Sequence, residues 1–192
     1  MSPAQRAPVS IRLAQSEDIS KITKIQIDSI RILCAQYYNA SQIETLLENK
    51  KQGRNWKELI FVAEIQSQIV GFSALSLIEP TINGVFVDPA FIRQGIGQKL
   101  LAALENEAGK NRARCLWVSA SLNAVQFYES QGYQTISRNT ISLASGVPIP
   151  VVTMKKVLIP PTRAEIIVTQ LIYILVILFL LFAVVLRLLF AG

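Results

Sequence analysis

Between Val85 and Leu101 the chain reads Val-Phe-Val-Asp-Pro-Ala-Phe-Ile-Arg-Gln-Gly-Ile-Gly-Gln-Lys-Leu-Leu, and residues of this kind at this spacing suit an anion. Thr81 to Val87 is rich in β-branched and aromatic residues and is stopped by Pro89, whereas Leu100, Leu101 and Leu104 recur at helical spacing. The order is therefore strand, turn, helix. A helix opening near Gly97 leaves its first N–H groups without intrahelical partners and turns the positive end of its dipole toward the loop. Gly95 and Gly97 lack Cβ atoms and let a phosphate approach the backbone, while Arg93 and Lys99 add positive charge. No Gly-Lys-Ser/Thr follows, which excludes a nucleotide-triphosphate loop, and two glycines in place of three exclude a dinucleotide fingerprint. Taken alone, Gly-x-Gly before a helix is also read as a tight turn.

A second stretch, Ala120-Ser121-Leu122-Asn123-Ala124-Val125-Gln126-Phe127-Tyr128-Glu129-Ser130-Gln131-Gly132-Tyr133, lies downstream. Together with the Val-Asp-Pro and Gly-Ile-Gly run it resembles the GCN5-related N-acetyltransferase (GNAT) superfamily over about residues 10–158. The resemblance implies an α/β fold with a mixed, mostly antiparallel sheet flanked by helices, and acetyl-CoA as co-substrate. On that reading Arg93, Gln94, Gly95, Ile96, Gly97 and Gln98 form the pyrophosphate loop, and Asn123 with Phe-Tyr-Glu lies beside the pantetheine and the thioester. One position departs from the family pattern. Ile92 stands where Gln or Arg is usual, three residues before the first glycine, and the side-chain contribution shifts to Arg93.

Acetyl transfer to an amine requires a neutral amine, a polarised thioester carbonyl and a proton for the departing thiolate. Tyr128 sits where the family places its general acid; the competing role is packing on the helix face. Backbone groups of Val85, Phe86 and Val87 would pair with the pantetheine amides. Asn123 would hold the cofactor, or else cap the short helix after it. A base is harder to assign. Where many relatives carry an acid on the strand before the loop, this chain has Thr81 and Asn83, with Glu79 upstream and Glu64 on a neighbouring strand.

Composition narrows the alternatives. With 192 residues there is room for one core, and the +6 net charge favours phosphates or an anionic membrane surface. Lys and Arg are scattered without interleaved aromatics, which argues against nucleic acid. The absence of His and of Cys-x-x-Cys excludes the common zinc sites, so no metal is expected. Cys34 and Cys115 are too few for a disulfide framework and point to a reduced compartment, and Cys115 reads as a small apolar residue.

Several elements must position these groups. Residues 1–9 read as a frayed arm opening on a strand at Ser10 to Ala14, and Ser16-Glu17-Asp18 starts a helix whose face carries Ile19, Ile22, Ile25, Ile30 and Leu33. Ser41 to Glu44 reads as a capping box for a second helix. Tyr37 and Tyr38, in the link between the helices, either line the acceptor pocket or pack under the loop. Lys50 to Lys57 is a solvated loop in which Trp56 packs. Leu59 to Ile65 and Ile69 to Leu77 form a hairpin, and Ala113 to Ala120 is a further strand. Leu122 to Gln131 is a short helix, and Thr135 to Leu143 with Val147 to Leu158 forms a last hairpin, where Pro148 and Pro150 mark an edge or bulge.

The final segment changes class. Residues 159–165 form a stiff Pro-Pro linker, and Ile166 to Leu186 carries no charge, so 166–190 is expected to be one C-terminal transmembrane helix resembling a tail anchor. Lys155, Lys156 and Arg163 before the span against Arg187 after it place the large domain on the cytoplasmic side. The expectation is a membrane-tethered acetyl-CoA-dependent N-acetyltransferase acting on a small-molecule or peptide amine, with oligomeric state open. A non-catalytic acyl-CoA-binding or interaction module is the alternative, as is an enzyme for longer acyl groups or for protein N-termini and lysines.

Overall fold

A computed structural model of the chain describes residues 8–51, 58–76, 78–143, 145–160 and 162–190. The expected arm and Trp56 fall largely or wholly outside these residues. Met1–Leu158 forms one compact unit and Ile159–Gly192 another.

The first unit is built on seven strands: β1 (Ser10–Leu13), β2 (Glu58–Ile65), β3 (Gln68–Ser76), β4 (Thr81–Val87), β5 (Cys115–Ser121), β6 (Gln134–Ser142) and β7 (Pro148–Val157). They lie in the order β1-β2-β3-β4-β5-β7-β6. All neighbours are antiparallel except β4 and β5. Gln66 and Ser67, at φ 49° and 64°, form the two-residue turn that closes Ile65 against Gln68. Positive φ at both turn residues matches the twist of the flanking strands. β3 is buried without interruption from Ile69 to Leu75, as a strand covered on both faces must be.

Adjacent strand residues point to opposite faces, and this sorts the helices. Val62 and Phe72 pack with Ile22 and Ile25 of α1 (Ile19–Leu33), while Ala63 and Val70 pack with Ile96 and Leu100 of α3 (Ile96–Lys110). The sheet thus has α1 on one side and α3 on the other. Leu101, Leu104 and Ala108 of α3 extend the second layer over Leu116, Val118 and Met154. Ile19 is 45% exposed and lies off the buried stripe it was expected to join, because α1 begins one residue after a 3-10 turn at Ser16–Asp18.

Two local expectations shift. α2 (Ala40–Lys51) is capped two residues earlier than Ser41 to Glu44 would do it: Asn39 Oδ1 accepts from Gln42 N at 2.9 Å, and Gln42 Oε1 accepts from Asn39 N at 3.1 Å. The stretch Leu122 to Gln131 divides into a 3-10 turn, Leu122–Ala124, and α4, Val125–Ser130. Pro148 and Pro150 have a clear reason. Pairing of β7 with β5 ends at Val151–Ser121, so the prolines, which cannot donate, fall just beyond it. There the carbonyls of Pro150 and Pro148 accept from Tyr38 Oη at 2.8 Å and Gln42 Nε2 at 2.9 Å instead.

The second unit is α5, Arg163–Phe190, a helix of 28 residues. Its described apolar side chains from Ile167 to Leu180 are all at least half exposed. The expectation of a transmembrane helix over 166–190 is not met among the described residues, where no helix is long and apolar enough to cross a membrane; the side chains described end at Leu180. The charge asymmetry is also thinner than the sequence implied. Lys155 lies 4.8 Å from the Trp117 ring centroid and Lys156 pairs with Glu105 at 2.8 Å, so both belong to β7 and the first unit.

Arg12 ties β1 to the start of α1 and to β2. Its guanidinium donates to Asp18 at 2.6 and 3.1 Å and to Glu64 at 2.6 and 3.0 Å. Hydrogen bonds from Arg12 hold the Asp18 carboxyl below its ordinary range, against the opposing effect of burial. A depressed folded-state value contributes stability that is present above the unfolded value near 3.8 and is lost as pH falls through the folded one. Asp18→Asn is expected to cost about 1–3 kcal/mol in urea unfolding at pH 7, with the gap to the parent closing toward pH 3. An unchanged gap at both pH values would assign Asp18 no ionic role.

Candidate functional site: the cleft between β4 and β5

β4 and β5 share only two pairs, Thr81 with Trp117 and Ile82 with Val118. Immediately after, Gly84 pairs with Ala74 and Ile82 with Leu75, which leaves Asn83 as an extra residue in β4. Such a bulge sharpens the local twist and turns a strand from its neighbour. The strands part, and Asn83 to Val87 on one side and Ser119 to Ser121 on the other wall a cleft of about 500 Å³. β4 keeps its pairing to β3 through Val87–Gly71, so its other edge faces the cleft as an open strand edge. An edge of this kind binds an extended amide chain by main-chain hydrogen bonds.

The expected phosphate loop follows at the end of β4. Ser29 of α1 donates to the Val87 carbonyl at 2.8 Å, and Asp88 N donates to Val70 O at 2.8 Å. Asp88 then caps the turn Pro89–Phe91 by accepting from Ala90 N at 3.1 Å. Arg93 at φ 60° and Gly95 at φ 77° flank Gln94, and α3 opens at Ile96 with Gly95 as its N-cap. Left-handed residues in such a turn aim successive N–H groups at a common point, an anion-binding arrangement.

The two glycines serve different ends, which corrects the expectation that both clear space for a phosphate. A Cβ on Gly95 would meet nothing within 4 Å, so its requirement is the positive φ. A Cβ on Gly97 would lie 3.3 Å from the Phe127 ring and 3.8 Å from Val87, so this glycine lets α4 approach α3 and β4. The Ile96 side chain is buried in the core beneath the loop, leaving only its backbone for the site. Arg93, Gln94 and Gln98 are exposed beside it.

Tyr128 is 3% exposed and lines the cleft. Its ring meets Phe127 and Tyr133 edge-on, with centroids 5.1 and 5.3 Å away. Burial pushes the phenol upward, so it stays protonated through the neutral range and is an acid rather than a base. Asn123 also lines the cleft, and its Oδ1 accepts from Cys34 Sγ at 3.4 Å. That thiol is pushed up to about 11 by burial and is therefore not a ready nucleophile. Cys115 is partly buried.

Of the paired tyrosines, Tyr38 alone enters the site; Tyr37 is 51% exposed. Tyr38 Oη accepts from Leu122 N at 2.9 Å and donates to Pro150 O, joining the helix link to the turn that carries Asn123 and to β7. The cleft therefore gathers Val85, Phe86, Val87, Asn123 and Tyr128, while Arg93 to Gln98 form the loop that leaves the strand walling it. Of the carboxylates considered from sequence, Glu79 is exposed and Glu64 is bound by Arg12. Sequence reasoning missed Glu58, which lines the cleft and accepts from Asn83 Nδ2 at 2.7 Å. Its position at the start of a strand next to a basic loop hid it, since only the three-dimensional register brings it near β4.

A parallel pair that splays after a bulge, followed by a left-handed loop opening a helix, defines an acyltransferase architecture. Residues 34–158 match the acetyltransferase (GNAT) domain family, and the chain belongs to that family and is an N-acetyltransferase. An uncharacterized N-acetyltransferase of Escherichia coli, YafP, is 31% identical over 136 residues, covering 69% of this chain and 86% of the relative. A ribosomal protein bS18-alanine N-acetyltransferase of Salmonella typhimurium is 31% identical over 100 residues, covering 50% of this chain and 68% of its own. The crystal structure of a GCN5-related N-acetyltransferase from Rhodopseudomonas palustris aligns with TM-score 0.73 at 31% identity, covering 81% of this chain and 99% of that one. The fold also matches a Thermoplasma acidophilum PaiA N-acetyltransferase in complex with coenzyme A, with TM-score 0.60 at 20% identity over 78% of this chain and 99% of that one.

The different roles of the glycines have different consequences. Gly95→Ala is expected to cost about 1–2 kcal/mol through backbone conformation alone. Gly97→Ala is expected to cost about 1–3 kcal/mol by forcing Phe127 outward, and Phe127→Leu in the same chain should recover part of it. Thermal unfolding of the three variants checks this; additivity of Gly97→Ala and Phe127→Leu would contradict the contact.

Proposed function

We propose that the chain transfers an acetyl group from acetyl-CoA to a primary amine by direct attack of the amine on the thioester. The observation that carries this is the parted edge of β4, which ends in the loop Arg93 to Gln98. An extended pantetheine amide chain suits the open edge of Val85, Phe86 and Val87, and a diphosphate suits the N–H groups of the loop and first turn of α3. Relatives of the fold are described with coenzyme A or acetyl-CoA bound, in line with this donor.

The amine nitrogen forms its bond to the carbonyl carbon as the carbon–sulfur bond breaks. A main-chain N–H of β4 facing the cleft polarises the carbonyl as negative charge develops on its oxygen. Tyr128 protonates the departing sulfur, and its burial keeps that proton available at neutral pH. Asn123, tied to Cys34, holds the turn on which α4 and Tyr128 are carried. Peptide N-termini form a second acceptor class for the reading, since relatives in Salmonella typhimurium and Haemophilus ducreyi are named for alanine of a ribosomal protein.

We further propose that α5 anchors the chain to a membrane with the catalytic unit on the cytoplasmic side. Its support is the uncharged run Ile166 to Leu186 within a helix of 28 residues, about 42 Å at 1.5 Å per residue against about 30 Å of hydrocarbon. The free thiols Cys34 and Cys115 accord with a reducing compartment. Carbonate-washed membranes should retain the full chain; recovery in the wash would end the anchor proposal.

Tyr128→Phe keeps the ring packing and removes the proton. It should leave acetyl-CoA affinity within about twofold and lower kcat about 10²–10³-fold in a thiol-release assay. Full turnover in this variant would remove Tyr128 from the chemistry.

A further inference from the structure

We infer that Glu58, steadied by Asn83 at the mouth of the parted strands, receives the ammonium of the acceptor and takes its proton, and that the rest of the acceptor is an apolar, uncharged body. The inference rests on the acetyl-transfer reading above and names the acceptor class for the same cleft. Glu58 opens β2 and pairs with Ser76 on β3, so a whole strand separates it from β4. At about 4.8 Å per strand the two backbones lie roughly 10 Å apart. The side chains nevertheless meet, because Asn83 is the extra residue of the bulge and its amide donates to Glu58 Oε1 at 2.7 Å. An amide N–H favours the carboxylate form and fixes its direction into the cleft.

The surroundings set the rest of the specificity. Among the described residues lining the cleft, Glu58 is the one that carries a charge. The wall beyond it is made by Ile30, Leu33, Leu46, Ile141, Leu143 and Ile149, from α1, α2 and the β6–β7 hairpin. A second charge on the acceptor would be desolvated there without a partner, at a cost of several kcal/mol, on the order of that for any buried unpaired ion. A single ammonium on an alkyl or aryl body fits both features.

The protons balance. The ammonium gives one proton to the Glu58 carboxylate, and the neutral nitrogen bonds to the carbonyl carbon while sulfur departs with the proton of Tyr128. The second proton shed by nitrogen, as the amide forms, restores the phenol. Glu58 then returns its proton to solvent, and the net change is ammonium plus thioester to amide, thiol and one proton.

The test uses the full chain in detergent micelles, with acetyl-CoA affinity from calorimetry and thiol release with hexylamine, phenylethylamine, spermidine and an alanine-terminated peptide. Hexylamine or phenylethylamine should exceed spermidine and the peptide by about tenfold or more in kcat/KM. Glu58→Gln keeps a partner for Asn83, so it should leave acetyl-CoA affinity within about twofold. It should lower kcat/KM about 10²–10³-fold and abolish the acidic limb of the pH profile. A variant within about threefold of the parent, with the limb intact, would reduce Glu58 to a support for Asn83 and overturn the assignment. Preference for spermidine or the peptide would overturn the apolar class. A parent chain that binds acetyl-CoA yet acetylates none of the four would overturn the inference alone, whereas failure to bind acetyl-CoA would remove the transfer reading and the inference with it.

Discussion

Two backbone pairs join β4 to β5, at Thr81 and Ile82, and the extra residue Asn83 prevents a third. A longer ladder would bury the edge of Val85 to Val87 in the sheet and leave no cleft. The bulge exposes strand edge that would otherwise be paired, and an exposed edge is a liability unless something covers it. Here α1 covers one end of it through Ser29, and a ligand with its own amides can complete the other.

The opening would not hold its shape if the far wall were loose. β5 stops at Ser121 while β7 runs on through Pro150 and Pro148, whose rings remove the N–H groups that no strand is there to receive. Tyr38 and Gln42 supply donors to the remaining carbonyls, so side chains take the place of a missing strand. Tyr38 also receives Leu122 N, which binds the turn of Asn123 to the same post. One phenol thereby joins three elements around the acceptor side, and a second, Tyr128, faces the cleft from a buried aromatic cluster.

Much of this was legible in the order of residues. The change of period at Leu59, the stop at Pro89 and the leucines of α3 are local signals, and local signals gave the strands, the loop and the family. What required the fold was register. Nothing in Pro148 or Pro150 announces that β5 ends beside them, and the spacing of Gly95 and Gly97 does not say that one serves φ and the other Phe127. Glu58 escaped notice for the same reason: it is distant in sequence from Asn83, and a single inserted residue in β4 is what brings the two side chains together. The helix caps were misplaced by a residue or two because Ser41 and Asn39 are comparable caps by composition, and only Asn39 has Gln42 in reciprocal reach.

The central claim is that the edge freed by the Asn83 bulge is the surface that grips the donor. Hydrogen exchange of the full chain with and without coenzyme A tests it at the residues concerned. Protection is expected at the amides of Val85 to Val87 and of Gly95 to Gly97, with β6 unchanged. Binding of coenzyme A that leaves the β4 amides exchanging as before would contradict it.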